Sequence, residues 1–156
     1  DAIGAASRPH NFLSLTKMGH SAIFSTAGND DCHIILRGGK KPNYDAASVQ
    51  QAADELEAAG LPTRMMIDFS HANSSKQHRK QIEVANDVAS QVAAGDTRII
   101  GAMIESHLKE GRQSVVAGKE KELEYGKSIT DACINWEQSL PILESLAQAV
   151  QQRRQS

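Results

Sequence analysis

No stretch of this 156-residue sequence approaches the ~18–20 consecutive apolar residues of a membrane-spanning helix, so no membrane partner is expected. Cysteine is scarce. Cys32 and Cys133 are too few for a disulfide scaffold and fit a reducing, cytoplasmic setting. Neither sign of charge is in excess: Lys and Arg number 17, Asp and Glu 19, and the net charge is -2. That balance argues against a nucleic-acid partner and leaves room for a local basic site. No secretory leader opens the chain, no segment is of low complexity, and none reads as an interdomain linker. What remains is ordinary globular composition, 40% apolar and 23% charged, at a length that suits one domain. The first residue is Asp1, and Asp1–Ser7 reads as the tail of a helix already under way, so a longer chain is expected upstream.

Three segments repeat one plan. His33–Arg37 is a short apolar run ending in a charge; Pro42 and Asn43 turn the chain; Asp45 opens a helix to Ala59, with Val49, Ala52, Ala53, Leu56 and Ala59 at three- and four-residue spacing and Gly60 as its stop. Met65–Phe69 is the second run. A polar loop to Ser75 follows it, then a helix with Ile82, Ala85, Val88 and Val92 on one face, closed by Gly95. Ile99–Glu105 is the third, followed by a long polar loop and a last helix. That helix is expected to start near Ser139 and Pro141 and to bury Leu143, Leu146 and Val150. Wholly apolar strands alternating with one-sided helices predict a parallel sheet buried on both faces. Asn11–Thr16 reads as an earlier strand of the same series, with an inserted β-hairpin at about residues 20–31. The fold class is therefore α/β. About four β/α units make half of a (β/α)8 TIM barrel, which needs ~250 residues when complete. A small doubly wound sheet is the alternative. It usually carries a Gly-rich phosphate loop, and Arg37-Gly38-Gly39-Lys40 is too short for one.

Charged residues sit at the ends of these strands: Arg37 after one, Asp68 and His71 after the next, Glu105 after the third, and Asp131 in the following loop. In a parallel barrel such positions converge on the C-terminal rim. His71, Glu105 and Asp131 form a nitrogen and oxygen ligand set suited to Mn, Fe, Co or Zn; each alone also reads as a solvated loop residue or a cap. Arg37 before two glycines reads as an anion anchor or as a surface ion pair. His71–Lys76 leads into a helix and offers either free N–H groups to an anion or plain capping by Ser74 or Ser75. Asp68 is a candidate partner for His71 or a hydrogen-bonded strand end. His10, His33 and His78 receive no role, and Lys40 and Lys41 read as a solvated edge. Trp136, the one tryptophan, reads as core, and Cys133 reads as a small buried hydrophobe.

Four strings go beyond pattern: His33–Lys40 with Pro42–Tyr44, Ile67–Lys76, Gly101–Ser106 with Glu110-Gly111, and Tyr125–Cys133 with Trp136. Together they resemble the C-terminal half of the type I 3-deoxy-D-arabino-heptulosonate 7-phosphate (DAHP) synthases of the microbial short-chain class, over essentially the whole chain. The resemblance implies a (β/α)8 barrel that condenses phosphoenolpyruvate with erythrose 4-phosphate and requires a divalent metal held by Cys, His, Glu and Asp. His71, Glu105 and Asp131 match three of those ligands, and Arg37 matches the arginine on the phosphate of phosphoenolpyruvate. His71 also lies near enough to that substrate to orient it. The metal-binding Cys and a Lys-Pro-Arg-Thr loop belong to the N-terminal half, which is absent from this sequence, so the chain alone is expected to be inactive. Cys32 and Cys133 occupy other positions. The resemblance also implies a homo-oligomer, dimer or tetramer, inhibited by an aromatic amino acid. Phe12 and Ser14, with Lys17 and Gly19–Ile23, resemble the phenylalanine-sensitive branch, while Phe24 stands where a smaller apolar residue is expected. The rival readings are a related sugar-acid synthase that condenses phosphoenolpyruvate, against which Thr130–Cys133 argues, and a half-barrel that binds anions or metal without turnover.

Overall fold

The computed structural model describes residues 2–155; Asp1 lies outside them. A short helix, α1 (Ala2–Ala6), precedes two strands, β1 (Asn11–Leu15) and β2 (Ser21–Ser25). Next come β3 (Ile34–Leu36), α2 (Ala46–Ala58), β4 (Met65–Asp68), α3 (Gln81–Ala93) and β5 (Ile99–Met103). The chain ends with two small strands, β6 (Lys109–Arg112) and β7 (Lys127–Ser128), and α4 (Trp136–Gln155).

The three apolar runs form one parallel sheet in the order β3-β4-β5, with Ile34 beside Met65 and Met65 beside Ile99. α2 starts and stops where its chemistry directs. The Asp45 carboxylate accepts the Ser48 N–H at 3.1 Å and caps α2, and Gly60 at φ +67° lets the chain leave it. Val49, Ala53 and Leu56 of α2, and Val84, Ala85, Val88, Ala89 and Val92 of α3, lie buried with Met65, Ile67 and Phe69. Each large apolar side chain buried there contributes roughly 1.5–3 kcal/mol before the cost of ordering it. α4 packs on α3 through Ile142 and Ala149.

Four expectations are corrected. Asn11–Leu15 is not a fourth strand of the parallel sheet: it pairs antiparallel with β2, Phe12 opposite Phe24, through a turn in which Gly19 adopts φ +81°. The ribbon therefore spans residues 11–25, and the parallel sheet has three strands. The sheet is also covered on one face only, since Ile35 and Ile100 are 52% and 51% exposed. The last helix begins earlier than Ser139. Asn135 and Gln138 form a reciprocal cap, each side chain bonded to the other's backbone N–H at 2.8–2.9 Å, which starts α4 at Trp136 and leaves Pro141 inside it. This turns Leu143 outward, while Leu146 and Val150 are partly buried against the core. Finally, Trp136 is half exposed at the first position of α4 rather than part of the core.

Candidate metal and anion site

The parallel strands end side by side, so the residues that follow them meet in one cleft of about 580 Å³. Arg37, His71, Glu105 and Asp131 all line it. One ligand atom from each of His71, Glu105 and Asp131 lies within 4.8 Å of the other two.

His71 is aimed by its surroundings. Asp68, buried at the end of β4, accepts the His71 Nδ1–H at 2.7 Å through Oδ2. Its Oδ1 accepts the Ser70 N–H at 2.8 Å and the Ser70 hydroxyl at 2.7 Å. With its proton on Nδ1, His71 presents the lone pair of Nε2, which stands 3.7 Å from a Glu105 carboxylate oxygen. The chain reaches this position in left-handed backbone at His71, φ +48°, and again at Ser75 and Lys76. Buried Asn73 holds the loop. Its amide donates to the Leu36 and Asp68 carbonyls at 3.0 and 2.8 Å, tying the ends of β3 and β4, and its oxygen accepts the Asn43 N–H. Ser74 and Ser75 do not cap α3. Ser74 donates to the His71 carbonyl, and a 3-10 turn over His78–Lys80 intervenes before α3 begins.

Glu105 is fixed through its backbone. Gln81, fully buried at the start of α3, accepts the Glu105 N–H at 2.8 Å and donates to its carbonyl at 3.1 Å. Burial, with the like charges of Asp131 and Asp68, raises the Glu105 carboxyl above the ordinary carboxylate range, against the opposing pull of His71 and Arg37. Carboxylates gathered this closely favour a cation between them. The Cys133 thiol is pushed upward, by burial first and then by Glu105 and Asp131, which keeps it protonated.

On the anion side, Arg37 is followed by Gly38 at φ +75°. A Cβ there would come within 2.7 Å of the Ala72 Cβ, so the turn that carries Arg37 requires glycine. Asn43 accepts the Gly38 N–H at 2.7 Å.

The sequence assigns no supporting role to four residues around the site. Asn73 and Gln81 work as buried amides, a role without a local motif. Asn43 reads only as a turn residue. Glu110 accepts from Arg79 and from His78, both at 2.5–2.7 Å, and brings His78 into the lining of the cleft, where no role was expected. Phe12 and Ser14 lie on the β1–β2 ribbon, where the Phe12 and Phe24 rings stack with centroids 5.9 Å apart.

The sequence profile of the DAHP synthetase I family matches residues 1–144. The chain is 60% identical to the phenylalanine-sensitive phospho-2-dehydro-3-deoxyheptonate aldolase of Escherichia coli K12, over 99% of this chain and 43% of that protein. It is 54% identical to the tyrosine-inhibited aldolase of Schizosaccharomyces pombe, again over 43% of the relative. The solved structure of the Francisella tularensis aldolase superposes with a TM-score of 0.89 at 45% identity, covering 97% of this chain and 44% of the other. The chain thus spans less than half the length of these relatives.

Proposed function

Because the chain belongs to the DAHP synthetase I family, we propose that it forms the C-terminal half, residues 1–156, of a single TIM-barrel catalytic domain of a DAHP synthase. The complete enzyme condenses phosphoenolpyruvate with erythrose 4-phosphate, releases phosphate and works in the cytoplasm at the first step of aromatic amino-acid synthesis. The observation that carries this reading is the convergence of His71, Glu105 and Asp131 beside Arg37 in one cleft.

The donor set fits a divalent cation of the Mn, Fe, Co or Zn type: one imidazole already oriented through Nδ1, and two carboxylates close enough to repel when empty. His71 Nε2, Glu105 and Asp131 would hold such a cation, which would supply Lewis acidity toward the aldehyde oxygen of the sugar. Arg37 neutralises the phosphate of phosphoenolpyruvate with a two-pronged contact and positions its C3 toward that aldehyde. His71, on the same wall, orients the enol carbon. Asp68 keeps His71 in the tautomer its ligand role needs. In the reaction, C3 bonds to the aldehyde carbon, and water adding at C2 leads to loss of phosphate.

The effector reading rests on the ribbon and on relatives named as sensitive to phenylalanine or inhibited by tyrosine. Phe12 and Ser14 form part of a phenylalanine site, and the working enzyme is a homo-oligomer, dimer or tetramer.

The deciding assay offers the full-length enzyme phosphoenolpyruvate with erythrose 4-phosphate or with arabinose 5-phosphate, with and without added Mn. Turnover with the four-carbon sugar alone, dependent on metal, is expected. Preference for the five-carbon sugar assigns the related sugar-acid synthase instead, and absence of turnover with either leaves a binding module.

A further inference from the structure

Phenylalanine is scarce in this chain, and its three copies are not used alike. Phe69, just past β4, is fully buried in the core. Phe12 and Phe24 lie on the β1–β2 ribbon, outside both the core and the cleft. The two are paired opposite one another, so both rings stand on the same side of the ribbon, beside Ser14 and Ala22; Leu13, Leu15 and Ile23 take the other side. The rings stack with their planes 14° apart and cover one another: Phe12 is 49% and Phe24 37% exposed, against at least 66% for the three aliphatic residues. Among the described residues this is the one contact between aromatic rings.

An exposed ring outside the core is a surface for another ring. On Phe12 that surface is already taken on one side. The Phe24 ring lies at 5.9 Å, within the roughly 4.5–7 Å at which aromatic side chains pair, so a ligand ring stacking on Phe12 from that side needs the space that Phe24 fills. Two features let Phe24 yield it. Its ring is partly open to solvent, and its neighbour along β2 on that side, Ala22, is too short to hold it. We propose that Phe24 is a built-in competitor for the effector site that contains Phe12 and Ser14, and that it sets the affinity of that site for an aromatic amino acid. The proposal rests on the effector reading above for the site and adds the residue that limits it. Only the state with Phe24 turned away binds, so the apparent affinity is the intrinsic one scaled by the fraction of molecules in that state. A shorter apolar side chain at position 24 leaves Phe12 uncovered throughout.

Phenylalanine binding to the full-length enzyme, followed by calorimetry, tests this without requiring turnover. F24V keeps a β-branched strand former at the position and should bind phenylalanine about tenfold more tightly than the wild type, the scale of one aromatic pair. F24L should do likewise. F24Y keeps a ring and should stay at the wild-type affinity. F12A/F24V should lose the gain, because the surface that F24V uncovers is then gone. Inhibition of the condensation should follow the same order, with kcat and KM unchanged in the absence of phenylalanine, since Phe24 does not line the cleft. Unravelling of the ribbon cannot imitate this result, because it weakens binding rather than tightening it. Binding by F24V and F24L that equals the wild type or falls below it overturns the proposal and leaves the effector site in place. Phenylalanine binding to none of these proteins removes the effector reading, and the proposal with it.

Discussion

A carboxylate raised by its neighbours and an imidazole held by a buried acid are single side chains, yet the metal reading turns on them. Glu105→Gln keeps the shape and the backbone clamp by Gln81 but removes a charged donor. Metal retained after dialysis, read by elemental analysis, should fall by at least about tenfold in affinity, with little change in melting temperature, because a half-buried rim carboxylate supports little packing. Full metal content in the variant removes Glu105 from the site. For Arg37 the informative change is to Lys. If the phosphate contact is two-pronged, Arg37→Lys should raise KM for phosphoenolpyruvate nearly as much as Arg37→Ala, about tenfold or more, since an ammonium cannot reproduce the fork. A Lys variant with wild-type kinetics makes Arg37 an ordinary surface cation.

At the scale of elements, the site is held by contacts between the start of α3, the end of β5 and β6. Glu110 is the clearest case. Its carboxyl is held down at about 2 from an ordinary value of 4.5, first by the Arg79 hydrogen bond and then by His78. A folded-state value below the unfolded one contributes stability that is complete above about pH 4.5 and is lost as pH falls toward 2. Glu110→Gln should therefore lower the urea midpoint at neutral pH and converge with wild type in acid; a constant gap across that window argues against the clamp. Glu110 and Gln81 also show what the sequence conceals. Period makes α2 and α3 legible, the Asp45 cap fixes only the start of α2, and strand-end position predicts the convergence of Arg37, His71, Glu105 and Asp131, which all line one cleft. The first strand of the ribbon reads as a parallel strand because Phe12-Leu13-Ser14-Leu15 is as apolar as one, and only the turn around Gly19 tells the two apart. Pro141 signals a first helical turn, whereas the Asn135 and Gln138 pair starts α4 five residues earlier, at Trp136. Partners such as Gln81 act across 24 residues of sequence, which no local pattern records.

At the scale of the whole molecule, the sheet has two outer strands. Neither β3 nor β5 has a neighbour on its outer side among the described residues, and Ile35 and Ile100 lie open on the uncovered face. An apolar groove beside β5, lined by Val88, Ile99, Ile100 and Leu146, continues that surface. Unpaired strand edges with apolar side chains bind other strands, and a closed barrel has none. The β1–β2 ribbon adds Leu13, Leu15 and Ile23, each at least 66% exposed. Purified alone, the 156-residue chain should therefore self-associate, and it should bind metal weakly, since three donors leave the coordination of a transition metal incomplete. It should also lack turnover. Mixing it with a separately expressed N-terminal half of a relative should reduce the self-association and restore both metal binding and condensation. Light scattering and the condensation assay, run on the chain with and without that companion, decide the matter. A monodisperse, active monomer of this chain alone refutes the half-barrel reading, because such a monomer must cover Ile35 and Ile100 and complete the metal site from its own residues.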